Sequence, residues 1–250
     1  MYILRYFLNN NVIYYMKYLL VTRPEKDSIK IKEYLNKLGF NVYIEPMFSI
    51  KYLTTKIILK DFDLIICTSQ HSIIALSKIT KNRDITIITV GNNTMNIAQE
   101  LGFTSVKSLN GNINDVVSYL QNYSKFNILY IRGKEVTYNL KKTFNHYKNF
   151  QEVILYSTTD RTHFSKCCYN AFLGNKISGV LLYSSRTAEI LIELIKKYNI
   201  QDKISNITAY TMSNKIANTA KNVHWKTIKI SDQPTNESLL SLISENIRNI

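Results

Sequence analysis

The feature that most constrains this chain is a regular alternation. Short apolar, β-branched runs alternate with longer segments of helical period. The runs lie at 18–22, 42–44, 64–67, 85–90, 105–107, 128–131, 153–156, 180–183, 207–210 and 227–230. Helical spacing is found at 28–38, 72–79, 94–101, 114–119, 138–147, 187–198, 215–220 and 236–247. A strand buried on both faces reads as a continuous apolar run, the signature of parallel sheets covered by helices. The alternation therefore predicts βαβ units and an α/β fold. Segment 28–38 places Ile29, Ile31, Tyr34, Leu35 and Leu38 near one helical face. Gly39 follows it and Gly102 follows 94–101, each where a helix C-terminus favours positive φ.

A weak internal repeat divides the chain. Asp63-Leu-Ile-Ile-Cys-Thr-Ser-Gln-His-Ser pairs with Gly179-Val-Leu-Leu-Tyr-Ser-Ser-Arg-Thr-Ala. The segment from Ile87 pairs with that from Ile207, and Tyr18-Leu-Leu-Val-Thr-Arg-Pro with Ile128-Leu-Tyr-Ile-Arg-Gly-Lys. At 250 residues the length prior is about 1.7 domains. Two similar parallel-sheet α/β domains are the expectation.

Composition narrows the function classes. The chain is 45% hydrophobic and 20% charged, enough apolar surface to exclude intrinsic disorder. Lys+Arg 32 against Asp+Glu 18 gives +14, which suits a polyanionic ligand. The Lys residues are scattered and not interleaved with aromatics on one helix, so nucleic acid is not the expected partner. The mixture of Lys, Asn, Ile and Tyr also fits an AT-rich genome. Three cysteines (Cys67, Cys167 and Cys168) form no disulfide framework, and a cytoplasmic location is expected. Residues 1–16 are broken by Asn9, Asn10 and Asn11, too short an apolar stretch to span a bilayer. They read as an extension, with no membrane role expected.

The strand-to-helix turns carry small polar residues: Thr68-Ser69-Gln70, Gly91-Asn92-Asn93-Thr94, Arg132-Gly133-Lys134, Ser184-Ser185-Arg186-Thr187 and Thr211-Met212-Ser213-Asn214. Each such Ser, Thr or Asn can simply cap its helix. Together they line the carboxyl ends of parallel strands, where ligands bind and helix N-termini attract anions. No GxGxxG, GxxxxGK[ST], GxSxG or HExxH occurs, and His71, His146, His163 and His224 have no metal-ligand spacing. Neither cofactor nor metal is expected.

The ordered set Leu20-Val21-Thr22-Arg23-Pro24, Ile66-Cys67-Thr68-Ser69, Thr89-Val90-Gly91-Asn92-Asn93-Thr94, Leu129-Tyr130-Ile131-Arg132-Gly133-Lys134, Val153-Ile-Leu-Tyr156, Leu182-Tyr183-Ser184-Ser185 and Asp232-Gln-Pro234-Thr235 resembles the uroporphyrinogen-III synthase family over about residues 17–250. No motif is specific alone; the order is. The resemblance implies two α/β domains joined by a two-stranded linker, with a cleft between them. Residues 17–43 plus 159–250 would form domain 1, 54–151 domain 2, and 44–53 with 152–158 the linker.

The activity it implies is a cofactor-independent lyase of haem biosynthesis. It closes hydroxymethylbilane, a linear tetrapyrrole octa-acid, into uroporphyrinogen III with ring D inverted and water lost. The protein would act as a monomer on this small molecule. Tyr156 is the candidate proton donor, with a packed strand aromatic as its competing role. Thr22, Ser69, Gly91, Thr94, Gly133, Ser184, Ser185, Thr211, Met212 and Ser213 are candidate substrate contacts, with helix capping as the alternative for the hydroxyl side chains. Arg23, Arg132 and Lys134 are candidates to pair with carboxylates, or are solvated charges. The other reading is a two-lobed binding protein for a small polyanion without catalysis.

Overall fold

The structure, a computed structural model, describes residues 18–109, 112–136 and 138–248; the extension read at 1–16 lies outside them. Two compact units result. One is built from residues up to Ser49 and from Asp160 onward, the other from Ile50–Thr159. The chain thus changes unit at Ser49/Ile50 and Thr159/Asp160.

The first unit holds a five-stranded sheet. Its strands are β1 (Tyr18–Val21), β2 (Asn41–Ile44), β9 (Ile177–Leu182), β10 (Thr208–Thr211) and β11 (Thr227–Ile230), in the order β11-β10-β9-β1-β2. All four of its pairings are parallel. Around it run α1 (Glu25–Lys37), α6 (Lys166–Leu173), α7 (Ser185–Lys197), α8 (Gln201–Ile204), α9 (Asn214–Ala220) and α10 (Asn236–Arg248). The sheet is buried on both sides because its strands are apolar at successive positions. Leu20, Val180, Leu182 and Ala209 join one cluster, while Leu19, Val21, Leu181 and Tyr210 join the other.

The second unit repeats the plan. Its strands are β3 (Phe48–Tyr52), β4 (Leu64–Cys67), β5 (Ile87–Thr89), β6 (Val106–Ser108), β7 (Ile128–Gly133) and β8 (Phe150–Asp160), in the order β3-β8-β7-β4-β5-β6. Its helices are α2 (Gln70–Ile79), α3 (Asn92–Glu100), α4 (Ile113–Leu120) and α5 (Leu140–Thr143). Ile65, Cys67, Ile87, Leu129 and Ile131 face one cluster; Leu64, Ile66, Ile88, Ile128 and Tyr130 face the other. Burying one such aliphatic side chain contributes about 1.5–3 kcal/mol.

Several expectations are corrected. The helix read at 138–147 shrinks to α5, because Phe144 stacks on Tyr147 and Phe150 at centroid distances of 5.1 and 5.3 Å. That aromatic packing replaces further helical turns. Helix α6 has no counterpart in the sequence reading, where Cys167-Cys168 drew no structural inference. Cys168, Ala171 and Phe172 are its buried face, and the Ser165 side chain accepts the Cys168 N–H. The run at 153–156 extends to β8, Phe150–Asp160, so Tyr156 lies within the strand.

The repeat is real in shape but slips in register. Ser69 and Ser184 both cap helices through capping boxes, with Ser72 and Thr187 as partners. Ser69 therefore corresponds to Ser184, not to Ser185, and Thr68 corresponds to Tyr183. Two apolar strands align equally well one residue apart; the caps fix the register.

Candidate functional site

A pocket of about 320 Å³ opens in the second unit at the carboxyl ends of its parallel strands. Thr68 and Ser69 enter it from the turn after β4, and Val90 from the turn after β5. Tyr130 comes from β7, Tyr156 from β8, and Ile113 from the start of α4. Glu135, Val136 and Tyr138 reach it from the segment after β7. Three phenols and two small hydroxyls thus converge where a parallel sheet presents ligand-binding groups.

Tyr156 is held closely. Strand β8 bulges at Leu155, where the register shifts between Arg132 and Gly133, and this brings Tyr156 opposite Gly133. A Cβ at Gly133 would lie 2.7 Å from Cε2 and 2.8 Å from Cζ of the Tyr156 ring. Only glycine leaves room for the ring there. The His71 ring lies on Tyr156 at 5.7 Å and 58°, and the Tyr52 hydroxyl is 3.3 Å from His71 Nδ1.

Ser69 links helix α2 to this phenol. Its Oγ accepts the His71 N–H at 3.1 Å, satisfying one donor of the first helical turn. Burial raises the pKa of Tyr156, while hydrogen bonds from the Ser69 side chain and the Gly133 backbone pull against that rise. The phenol stays protonated at neutral pH.

Tyr130 is the second phenol. Burial raises its pKa too, and its hydroxyl is 3.3 Å from Thr68 Oγ1.

Of the residues singled out from the sequence, Ser69 and Tyr156 line this pocket, and Gly133 shapes it. Gly91 caps α3, and Thr94 lies nearly buried in the same first turn. Arg132 is engaged within the unit. It makes two 3.0 Å hydrogen bonds to Glu152 and also donates to the Gly133 and Lys134 carbonyls at 2.8 and 3.0 Å. Its guanidinium ties β7 to β8 through the Glu152 carboxylate. Lys134 is exposed.

The remaining candidates belong to the first unit. Thr22 is fully buried and donates to the Leu181 carbonyl at 2.6 Å; Thr211 is fully buried and donates to the Lys229 carbonyl at 3.1 Å. Both hydroxyls serve the sheet. Arg23 lies 4.9 Å over the Tyr183 ring and 3.7 Å from Asp27. Ser184 and Ser213 cap α7 and α9, Ser185 opens α7, and Met212 packs against the core.

Sequence reasoning missed Thr68, Tyr130, Glu135 and Tyr138. Thr68 and Tyr130 lie inside quoted motifs and Glu135 directly follows one, but Tyr130 reads as one more aromatic of a buried strand, and Glu135 follows a turn read for its cations. Among the described residues, no group of three or more His, Cys, Asp or Glu is placed to hold a metal ion. No helix among them is long and apolar enough to cross a membrane.

A family model described as uroporphyrinogen-III synthase HemD matches residues 29–241, most of the chain. The chain belongs to the uroporphyrinogen-III synthase family. It is accordingly a lyase of porphyrin biosynthesis. The Helicobacter pylori uroporphyrinogen-III synthetase structure is similar to it with a TM-score of 0.61 at 16% identity, over 92% of this chain and 99% of that one. A mutant uroporphyrinogen III synthase from the extremely thermophilic bacterium Thermus thermophilus gives 0.57 at 11% identity, over 94% of this chain and 100% of that one. At such identities the likeness is one of α/β fold. No curated protein matches the chain. Nothing in these comparisons favours the reading as a binding protein without catalysis.

Proposed function

We propose that this uroporphyrinogen-III synthase family member uses Tyr156 as the acid that helps hydroxide leave the hydroxymethyl carbon of the bilane. The reaction needs two things from the protein. The leaving hydroxide needs a proton, and the chain must be bent so that the substituted carbon of ring D meets the electrophilic methylene. Bending is positioning, which contributes about 7–11 kcal/mol in favourable intramolecular cases. General acid help adds about 10²–10⁴-fold.

The observation that carries this reading is the place of the Tyr156 phenol in this pocket, its ring against Gly133, with the Ser69 side chain and the Gly133 backbone as donors that pull its pKa down against burial. Those donors support negative charge on the oxygen as its proton leaves. Gly91, Lys134, Ser184, Ser185 and Ser213 are proposed to hold carboxylates, chiefly through helix N-terminal amides. A soluble, monomeric, cytoplasmic enzyme fits the three free cysteines.

Freshly made hydroxymethylbilane, incubated with the protein and then oxidised, should give type III porphyrin. Only type I product would reject the activity. Tyr156→Phe should slow turnover by ~10-fold or more. An unchanged rate and isomer ratio would remove Tyr156 from the mechanism. Because burial raises the Tyr156 pKa from its ordinary value of 10.0, the wild-type rate should hold through neutral pH and fall only in more alkaline solution than a free phenol would require.

A further inference from the structure

The pocket holds a charge that the reaction's octa-acid substrate does not explain. Among the described residues lining it, the charged one is Glu135, an anion. The nearby cation Arg132 is spent on Glu152 and on two carbonyls. Glu135 is held in place, accepting from Thr158 Oγ1 at 3.2 Å. Its carboxylate is close enough to Tyr156 to oppose ionisation of the phenol. A carboxylate pocket repels the acetate and propionate arms of a bilane, so those arms must lie elsewhere. It attracts what else a pyrrole offers, its ring N–H and any positive charge that develops on the ring.

We propose that Glu135 is a catalytic residue: its carboxylate receives the N–H edge of the hydroxymethyl-bearing pyrrole and stabilises the cation formed when hydroxide leaves. This rests on the function proposed above. The step balances. The C–O bond breaks with its electron pair going to oxygen, and the departing oxygen takes the Tyr156 proton to leave as water. The pyrrole nitrogen lone pair shifts into the ring, making an exocyclic C=C and an iminium N–H. That N–H, now strongly acidic, donates to the Glu135 carboxylate. When ring D carbon attacks the methylene, the electron pair returns to nitrogen, and the proton that ring D finally loses restores the phenol.

A charge-assisted hydrogen bond is roughly twice as strong as a neutral one, so the contact strengthens as the cation forms. An interaction stronger in the transition state than in the ground state accelerates the chemical step. About 320 Å³ is ample room for a pyrrole ring.

The test compares wild type with Glu135→Gln, which keeps shape and removes charge. With hydroxymethylbilane, Glu135→Gln should lower kcat by ~10-fold or more while KM changes less than about 3-fold. An effect on KM alone, or an unchanged kcat, overturns the proposal. A second arm uses small probes, followed by the chemical shifts of the pocket tyrosines. Protonated 2-(aminomethyl)pyrrole should bind wild type at least about 5-fold more tightly than neutral 2-(hydroxymethyl)pyrrole, and Glu135→Gln should erase that preference. No cation preference in wild type, or one retained in Glu135→Gln, also overturns it. Failure of wild type to make type III product, with the cation preference intact, overturns the activity and leaves the anionic subsite standing.

Discussion

The two strand-to-helix junctions after β4 and after β9 share a backbone plan and differ in one side chain that matters most. In both, a serine caps the helix and a residue three positions on completes a capping box. One position before each cap stands Thr68 in the second unit and Tyr183 in the first. Thr68 is small, reaches the Tyr130 hydroxyl, and leaves a pocket beside it. Tyr183 is large and packs on the core under Arg23, with its hydroxyl buried and without a partner among the described residues. The same local fold thus yields an open polar pocket in one unit and a filled junction in the other. Junction chemistry shared by a repeat fixes where a site can form; a single side-chain volume decides whether it does.

The sharpest way to break this comparison is to fill the pocket as the first unit fills its own. Thr68→Tyr should fold, because a tyrosine is accommodated at the corresponding position of the other junction. Its rate with hydroxymethylbilane should fall by ~100-fold or more, since misplaced reacting groups cost on that order. Full activity in Thr68→Tyr would mean that the pocket is not where the chemistry occurs.

The sequence shows the fold in outline because strands buried on both faces write themselves as apolar runs. Among the described residues, nine of the eleven strands overlap such runs without a change of boundary larger than three residues, β4 and β11 without any change. What it hides depends on partners distant in the chain. Whether Arg132 faces solvent or a carboxylate turns on Glu152, which β8 brings alongside. Whether Thr22 meets a ligand turns on the Leu181 carbonyl of β9. Tyr156 and Ser69, which line the candidate pocket, were singled out in the sequence because the ordered motifs carry them. Glu135 and Tyr130 were not, since neither residue type nor spacing marks a pocket lining. The one-residue slip of the repeat has the same origin: apolar runs carry no register, whereas caps do.

A smaller effect separates capping from chemistry. Ser69→Ala and Ser184→Ala each remove an N-cap, and each should cost about 1 kcal/mol in unfolding free energy, read from denaturant midpoints. Ser69→Ala should lose more in kcat than Ser184→Ala, because Ser69 also donates to Tyr156. Equal kinetic losses would say that Ser69 is a cap and nothing else.

The smallest effect concerns the filled junction itself. Tyr183 buries a hydroxyl that has no partner among the described residues. A buried unsatisfied group costs about 1–3 kcal/mol, so Tyr183→Phe should be more stable than wild type, by about 1 kcal/mol after relaxation. The pH dependence gives a second reading of the same atom. Burial raises the Tyr183 pKa, the Arg23 charge opposing it only in part. The folded protein therefore keeps the proton at pH values where the unfolded chain, ionising near 10, has lost it. Wild-type stability from this group is complete below about pH 10 and declines as pH rises above it. Phenylalanine has no proton to lose, so the advantage of Tyr183→Phe should widen between about pH 9 and pH 11. A gap that stays constant, or a variant that is less stable at neutral pH, would mean that the hydroxyl is satisfied and that the first junction is not simply a filled version of the second.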